Sequence, residues 1–333
     1  MKFSIILPVK NGGGYVKECV NSILAQTYSG FNLLILENCS TDGTAEWLHT
    51  LKDERVTIYP AERPLSIEEN WGRIVSIPRN EYMTMIGHDD VLDHNYLEVM
   101  YGLIEKYPDA SLYQTHFRYI DAKGRLIKKC KPMVERQSAG EFLEGLLQNR
   151  ININGTGFML RSKDYNATGG IGGYPNLLFA DFELWISAAK KGYLATAGEE
   201  CFSFRLHQSM TTISADIKLQ KAFGQFVEYL ETLKQENTSF AKIISTSSIE
   251  FIQFWCKGLT HRLLRTPTNK RNGLSVSLFL YRCKNYADRL SPNNHFNPLD
   301  KFSVKLARDI DRLAITRSLF LAFKKIYSKP VLS

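Results

Sequence analysis

Patterns typical of buried strands and of amphipathic helices alternate through the first hundred residues of the chain. The segment Phe3 to Leu7 is apolar on both faces apart from Ser4, as expected of a strand inside a parallel sheet. Apolar residues then recur at the spacing of one helical face, at Val16, Cys19, Val20, Ile23 and Leu24. Further apolar runs at 31–36, 56–59 and 82–86 are separated by helical segments. Because crossovers between such strands are right-handed, this rhythm predicts an α/β fold with a doubly wound, mainly parallel sheet.

The pattern changes after about residue 110, where mixed strands and glycine-rich turns replace the regular alternation. A helix is predicted to begin near Asp181, and two short strands are predicted at 193–197 and 201–205. From about residue 215 the pattern is helical to the end. We therefore expect an α/β body over residues 1–212, with halves that meet near residue 110, and a helical region over residues 213–333.

Composition narrows the class of protein. The chain has 333 residues, of which 44% are hydrophobic and 12% aromatic, so disorder and collagen-like structure are excluded. No apolar run approaches the roughly 18 to 20 residues that span a bilayer, and the short apolar start is interrupted by Pro8, so we interpret it as a strand rather than a signal peptide. The six cysteines lack zinc or redox-pair spacing, which is typical of reduced thiols in a cytoplasmic protein.

Charge is unevenly distributed along the chain. Residues 1–255 hold 26 Lys and Arg against 30 Asp and Glu, whereas residues 256–333 hold 16 against 4. Near the end, two stripes run side by side on one predicted helix, a basic one of Lys301, Lys305, Arg308 and Arg312 and an apolar one of Phe302, Leu306, Ile310 and Leu313. This pattern favours a helix that lies on an anionic membrane surface. The alternative is a helix that packs its apolar stripe on the body, and nucleic acid is disfavoured because no base-reading motif is present.

Candidate chemistry follows the carboxyl ends of the predicted strands, where ligands bind in open α/β sheets. Glycines follow the first strand, but neither a dinucleotide fingerprint nor a P-loop is present there. Asp89 and Asp90 directly follow the apolar run at 82–86. Adjacent carboxylates of this kind can bind a hard divalent cation, which prefers oxygen ligands. A solvated turn, or capping of the helix that follows, is the structural alternative.

Four segments in order carry a family resemblance: Phe3-Ser4-Ile5-Ile6-Leu7-Pro8-Val9-Lys10-Asn11, Ser22-Ile23-Leu24-Ala25-Gln26-Thr27-Tyr28, Ser40-Thr41-Asp42-Gly43-Thr44 and His88-Asp89-Asp90. Over roughly residues 3–210 the chain resembles the family 2 inverting glycosyltransferases of the GT-A fold. The resemblance implies a nucleotide-binding sheet, a smaller mixed sheet on the acceptor side and, here, a helical extension.

The resemblance implies a nucleotide-sugar donor and a bound Mg²⁺ or Mn²⁺. Asp90 is then a metal ligand, Asp89 contacts the ribose or the same ion, and His207 closes over the diphosphate or completes the metal shell. A structural role for that histidine is the alternative. The residues that match the family's donor-binding segments are Pro8, Val9, Asn11, Glu37, Trp71 and Arg73.

On the acceptor side, the resemblance implies that Asp181 is the catalytic base. Inversion requires one carboxylate to take the acceptor proton on the face opposite the leaving diphosphate. Glu183 is the second candidate for this role, and Tyr174 is a candidate to stack on the acceptor sugar. Helix capping is the alternative role for Asp181.

The sequence therefore predicts an inverting, metal-assisted glycosyltransferase that acts on a glycan or lipid-linked acceptor in surface polysaccharide biosynthesis, such as that of O-antigen or capsule. It is expected in the cytoplasm, peripheral at the inner face of the plasma membrane. The chain departs from the family pattern at Asn38, which follows Glu37 where a second acid is common, and at Ala180. These departures keep open a non-catalytic nucleotide- or glycan-binding module on the same fold.

Overall fold

The structure, a computed structural model, describes residues 1–206 and 216–327, the last three of these by backbone only. The chain divides into two compact units. The first, called here the sheet unit, comprises Met1–Phe142 and Ile151–His207. The second, called the helical unit, comprises Leu143–Arg150 and Gln208–Ser333.

Within the described part of the sheet unit, ten strands form one sheet. They are β1 (Phe3–Val9), β2 (Phe31–Glu37), β3 (Val56–Pro60), β4 (Tyr82–Met85), β5 (Val91–Leu92), β6 (Leu112–Ile120), β7 (Leu126–Lys129), β8 (Arg136–Ser138), β9 (Met159–Arg161) and β10 (Tyr193–Arg205). The main order is β3-β2-β1-β4-β9-β6-β10-β5, with β7 beside β6 and β8 beside β10. The first four strands pair in parallel, as do β6 and β10, and β9 joins the two parallel groups by running antiparallel to both.

In the described part of the sheet unit, seven α-helices follow the strands, and the last residues of the fifth extend into the helical unit: α1 (Gly13–Leu24), α2 (Thr44–Leu48), α3 (Ile67–Gly72), α4 (Tyr96–Lys106), α5 (Ala139–Leu147), α6 (Ser162–Ala167) and α7 (Ala180–Ala189). Five more α-helices lie among residues 216–327 of the helical unit: α8 (Lys218–Glu236), α9 (Thr238–Arg265), α10 (Val276–Leu290), α11 (Phe302–Arg312) and α12 (Ala314–Tyr327).

Local sequence explains the first half of the sheet. Every residue of β1 is buried, as the apolar run predicts, and α1 buries the face formed by Val16, Cys19, Val20 and Ile23. Ser66 caps α3, because its hydroxyl oxygen accepts a hydrogen bond from the N–H of Glu69. The Glu69 carboxylate in turn accepts a hydrogen bond from the N–H of Ser66. The predicted α/β fold with a mainly parallel sheet and C-terminal helices is confirmed.

One local prediction is wrong, and one structural alternative is excluded. The segments 193–197 and 201–205 form one strand, β10, because irregular register between Ala197 and Phe202 lets the chain continue along β6 rather than break. The aspartates at 89 and 90 do not cap the helix that follows, since β5 intervenes and Asn95 is the N-cap of α4.

Most of the apolar stripe predicted near the C-terminus stays exposed. Helix α11 buries Val304 and Ala307 instead. Phe302, Leu306 and Leu313 are 78%, 48% and 62% exposed, whereas Ile310 is partly buried. A different face of this helix therefore contacts the rest of the helical unit, and the three exposed side chains are not packed on the described residues. Among residues 1–206 and 216–327, no helix is both long and apolar enough to cross a bilayer.

Candidate active site

Two carboxylates converge on one point just beyond the end of β4. A Cβ atom added to Gly87 would lie 2.8 Å from Oδ1 of Asp89 and 3.1 Å from Oδ2 of Asp90. A side chain at position 87 would therefore push against both carboxylates, and glycine leaves the space that they occupy.

Asp90 is almost completely withdrawn from solvent, with 2% of its surface exposed. Its Oδ2 accepts a hydrogen bond from the hydroxyl of Thr156 (2.8 Å) and its Oδ1 accepts one from the N–H of Arg205 (3.0 Å). Burial, reinforced by the neighbouring charge of Asp89, raises the pKa of Asp90 well above its ordinary value. A nearby cation would stabilise the charged form of this pair.

Arg205 supplies such a cation from the end of β10, where it is 3% exposed. Its Nε donates to the backbone carbonyl of Asp89 (2.7 Å), its Nη1 to the carbonyl of Asp121 (3.2 Å) and its Nη2 to the carboxylate of Glu18 (2.6 Å). Sequence reasoning missed this residue. The available signal was an arginine that ends the otherwise uncharged run at 201–204, where a buried charge requires partners.

The loop over residues 154–158, which precedes β9 in the chain, contacts both β4 and helix α7. Gly157 donates its N–H to the carbonyl of Met85 in β4 (3.1 Å). Phe158 stacks on Trp185 of α7 with ring centroids 4.7 Å apart, and the Trp185 indole N–H donates to the carbonyl of Asn154 (2.9 Å). The position of α7 is therefore fixed relative to the end of β4 by hydrogen bonds and ring packing.

Asp181 lies on α7 next to the same loop. A Cβ atom added to Gly155 would lie 3.9 Å from Oδ2 of Asp181, and the next residue, Thr156, bonds Asp90. Of two consecutive loop residues, one therefore lies beside Asp181 and the next bonds Asp90. Burial raises the pKa of Asp181 to about 7, against the opposing effect of hydrogen bonds from backbone N–H groups of Phe182 and of its own residue.

The chain just before α7 is held in an unfavourable backbone conformation. Asn176, Leu177 and Phe179 all have positive φ, at 54°, 55° and 67°. This region is uncommon for leucine and phenylalanine, and such residues persist where surrounding contacts fix them. One such contact is the hydrogen bond from the N–H of Asn176 to Oε1 of Glu68 (2.6 Å). The start of α7 is therefore specified by its surroundings.

The residues predicted to line the nucleoside lie at the ends of β1 and β2. Pro8 and Val9 are buried in β1. Asn11 links the loops that follow the two strands, because its N–H donates to Oγ of Ser40 (2.9 Å) and its Oδ1 accepts from the N–H of Thr41 (2.8 Å). The structure thus brings these two predicted loops together.

Glu37 and Arg73 hold the ends of strands in the same region. The buried carboxylate of Glu37 accepts hydrogen bonds from the N–H groups of Cys39 (3.0 Å) and Ser40 (2.7 Å). Arg73 donates to two carbonyl groups at the end of β3 and to one at the end of β2. Trp71, on α3, is partly exposed. Glu37 and Arg73 therefore have clear structural roles at this edge of the sheet.

Of the three remaining predicted residues, the structure describes Tyr174 and Glu183 but not His207. Tyr174 is buried and its hydroxyl donates to the carboxylate of Glu183, so these two predicted acceptor residues contact each other. His207 lies outside the described residues.

A divalent cation fits the aspartate pair in part. Asp89 and Asp90 offer oxygen ligands that converge on one point, and their mutual repulsion favours a bound cation. In the part of the chain that the structure describes, no group of three or more His, Cys, Asp or Glu side chains could hold a metal ion. A metal bound here would therefore need further ligands, such as diphosphate oxygens or water.

Comparison with known proteins decides the family. The model of the family described as "Glycosyl transferase family 2" matches residues 4–170, half of the chain, including the aspartate pair. The chain belongs to glycosyl transferase family 2. The match includes the loop at 154–158 but ends before helix α7, so this comparison does not include Asp181.

Curated relatives agree with this membership. Glycosyltransferase GlyG of Streptococcus pneumoniae is 26% identical over 123 residues, which are 36% of this chain and 41% of GlyG, so the chain spans less than half of that relative. An uncharacterised glycosyltransferase of Rickettsia typhi is 24% identical over 70% of this chain and 73% of its own length.

Two solved structures show the same fold. A fragment of S. aureus TarS in complex with UDP-GlcNAc has a TM-score of 0.63 at 13% identity and covers 94% of this chain and 92% of that chain. The mannosyltransferase PcManGT of Pyrobaculum calidifontis, in complex with GDP-Man and Mn²⁺, has a TM-score of 0.52 at 12% identity, with coverages of 97% and 88%. The GT-A fold expected for a family 2 member is confirmed.

The raised pKa of Asp181 predicts a pH-dependent effect of Asp181→Asn on stability. A carboxyl group whose pKa is about 7 in the folded chain, above the ordinary value of 3.8, stabilises the fold at low pH and loses that contribution as pH rises through about 7. The asparagine side chain of the variant does not ionise, so the variant does not lose stability in this way. Its free energy of unfolding, measured by urea denaturation, should rise relative to the wild type between about pH 4 and pH 8.

Asp121→Asn is the control of opposite sign. Hydrogen bonds from the N–H and guanidinium groups of Arg125 lower the pKa of Asp121 from 3.8 to about 2, so this variant should lose stability relative to the wild type as pH rises from about 2 to about 4 and should show no further trend up to about pH 8. If both variants showed the same pH trend, the electrostatic description of Asp181 would be wrong.

Proposed function

We propose that this protein transfers a sugar from a nucleoside diphosphate donor to an acceptor hydroxyl group with inversion, and that Asp181 is the general base. One observation carries the proposal. Thr156 bonds the carboxyl group of Asp90, and the residue before it, Gly155, lies beside Asp181, since a Cβ atom built on it would be 3.9 Å from Oδ2 of Asp181. A donor diphosphate at the aspartate pair and a base at α7 would then flank one short loop, which suits an in-line displacement.

The pKa of Asp181, about 7, suits this role. A base is most effective when its pKa is near the working pH, because it is then both deprotonated and basic enough to accept a proton. We propose that the acceptor hydroxyl group lies beside the Asp181 carboxyl group.

The donor half of the proposal rests on the aspartate pair. Asp89 and Asp90 would hold Mg²⁺ or Mn²⁺, with His207 as a proposed further ligand. When bound, the ion neutralises the charge that develops on the departing diphosphate. The neighbours bound to UDP-GlcNAc, UDP and GDP-Man support a nucleotide-sugar donor as the substrate class.

The proposed contacts to the rest of the substrates follow the geometry. Pro8, Val9, Asn11 and Glu37 lie at the ends of β1 and β2, where parallel sheets bind nucleotides. We propose that they line the nucleoside, with Trp71 and Arg73 at the edge of that pocket. Tyr174 and Glu183, which are joined by a hydrogen bond, would contact the acceptor sugar.

Three substitutions separate these roles. Asp181→Asn should lower kcat about a hundred-fold to ten-thousand-fold, the usual contribution of a general base, while donor binding is retained. Asp90→Asn should weaken donor and Mn²⁺ binding. Glu183→Gln should mainly raise KM for the acceptor, since its proposed contact is with the sugar.

Wild-type kcat/KM should fall as pH decreases below about 7. The measurement is steady-state transfer, with donor and acceptor found by screening.

Wild-type turnover in both Asp181→Asn and Asp90→Asn would contradict the assigned chemistry. A non-catalytic binding module would instead bind nucleotide in calorimetry without turnover and without dependence on divalent metal.

We also propose that the enzyme works as a peripheral protein at the inner face of the plasma membrane, on a glycan or lipid-linked acceptor of surface polysaccharide biosynthesis. The support is the exposed apolar surface of α11 and α12, which includes Phe302, Leu306, Leu313, Ile315, Leu319 and Phe323. Lys301, Lys305 and Arg312 lie between these side chains and are exposed. Apolar side chains flanked by cations match the boundary between acyl chains and anionic head groups.

Vesicle sedimentation tests this location. The full chain should sediment with vesicles of phosphatidylglycerol, and less so with phosphatidylcholine or in about 1 M salt, where the Debye length is about 3 Å. Replacing Phe302→Ser and Leu306→Ser together should strongly reduce sedimentation because two apolar contacts are lost. The control pair Leu126→Ser and Val134→Ser removes exposed apolar side chains from the sheet unit. Equal loss in both double variants would contradict the assignment to α11.

A further inference from the structure

Helix α7, which carries Asp181, begins at a residue that is poorly suited to start a helix. Its N-cap is Phe179, which has a φ of 67° and makes no capping hydrogen bond through its side chain. The preceding Asn176 and Leu177 also have positive φ. N-caps are usually Ser, Thr, Asp or Asn, and bulky residues rarely adopt positive φ. Contacts from elsewhere in the fold must therefore hold this start in place.

One such contact comes from the first turn of α3. Oε1 of Glu68 accepts a hydrogen bond from the backbone N–H of Asn176 at 2.6 Å, although the two residues are 108 positions apart in the chain. Both residues are partly buried. A hydrogen bond from an N–H group to a carboxylate is stronger than one between neutral groups. This bond therefore favours the positive-φ conformation of the turn at 174–179.

Helix α3 is itself anchored on the donor side of the sheet unit. Asn70 donates from Nδ2 to the carbonyl of Leu36 in β2 (3.2 Å), and Arg73, just after the helix, donates to carbonyl groups at the ends of β2 and β3. A Cβ atom added to Gly170 would lie only 2.6 Å from Cγ1 of Val75, so the chain after α3 also packs closely on the loop that precedes the turn. Glu68 thus belongs to a well-fixed helix.

The turn at 174–179 passes its position on to α7. At one end the Tyr174 hydroxyl donates to the carboxylate of Glu183, and at the other the rings of Phe179 and Phe182 pack edge to face with centroids 5.5 Å apart. Asp181 lies between Phe179 and Glu183 in the chain. A shift of the turn would therefore move the Asp181 carboxyl group.

We propose that Glu68 is a positioning residue for the transfer reaction: by bonding the N–H of Asn176 it holds the turn at 174–179 and so fixes Asp181 relative to the donor side. This inference rests on the proposed role of Asp181 as the general base. Glu68 acts through the turn rather than on the substrates, and it joins the helix beside the proposed nucleoside pocket to the helix that carries the base.

Steady-state transfer by variants of the full chain tests the proposal. Glu68→Ala should lower kcat about ten-fold to a hundred-fold, because a charged hydrogen bond is lost and the base is misplaced, while KM for the donor stays unchanged. Glu68→Gln keeps an oxygen that accepts from the Asn176 N–H, so it should retain most of the wild-type kcat. Glu46→Ala is the matched control, since Glu46 is also an acid in the first turn of a short helix, and it should leave kcat unchanged.

The pH profile is a readout that a purely structural role within α3 would not change. Burial raises the pKa of Asp181 to about 7. In Glu68→Ala the loosened turn should admit water to this carboxyl group, so its pKa should move towards the ordinary value of 3.8. The fall in kcat/KM should then occur at lower pH than in the wild type. Glu68→Gln should keep the wild-type profile.

Hydrogen exchange tests the same contact without reference to catalysis. The backbone amides of residues 174–183 should exchange faster in Glu68→Ala than in the wild type, because local opening of the turn is opposed less strongly. Glu46→Ala should leave their exchange unchanged. Unchanged exchange in Glu68→Ala would overturn the proposal.

The kinetic outcomes distinguish this inference from the proposed function. Wild-type kcat in Asp181→Asn would contradict the base itself, and this inference with it. If Asp181→Asn is slow but Glu68→Ala keeps the wild-type kcat and pH profile, Glu68 only stabilises α3 as an acid in its first turn, and the positioning role alone is overturned. Equal effects of Glu68→Ala and Glu68→Gln would also overturn it, because the charge of Glu68 rather than its hydrogen bond would then be responsible.

Discussion

Burial of the Asp90 carboxyl group beside a second acid is the constraint on which the functional part of this structure depends. A buried carboxylate is costly unless hydrogen bonds and opposite charge accompany it. Here Thr156 and the N–H of Arg205 bond both of its oxygens, and the Arg205 side chain bonds the backbone at Asp89. These partners come from distant parts of the chain. The acid pair therefore obtains its hydrogen bonds only when β4, β10 and the loop at 154–158 are assembled.

The loop at 154–158 also fixes the position of helix α7 relative to Asp90. Phe158 stacks on Trp185, and the Trp185 indole N–H bonds the loop backbone, so α7 cannot shift without disturbing the residues that hold Asp90. The positive φ values at residues 176, 177 and 179 show that the start of α7 is maintained at some conformational cost. Fixed relative positions are what a displacement reaction requires of its donor site and its base.

Local pattern predicts the parts of the fold that local physics determines. The buried strands β1, β2 and β4 and the apolar face of α1 follow from the spacing of side chains, and the adjacent aspartates stand out because they directly follow a buried strand. Arg205 and Thr156 could not be predicted this way, because their role comes from contacts with residues more than sixty positions away. The continuity of β10 was missed for a similar reason, since pairing with β6 carries the strand through an irregular segment. The outward direction of the stripe on α11 depends on which face Val304 and Ala307 bury, which the spacing alone leaves open.

The central claim is that Asp90 and Asp181 face the same substrates from the two sides of one loop. A crystal structure of the full chain with Mn²⁺ and a nucleoside diphosphate, with both UDP and GDP tried, tests it most directly. The account predicts anomalous scattering from manganese within about 2.6 Å of an Asp90 oxygen and in contact with the diphosphate, with the Asp181 carboxyl group open to the same cavity. Manganese bound away from Asp90, or an Asp181 separated from the diphosphate by protein, would contradict the account.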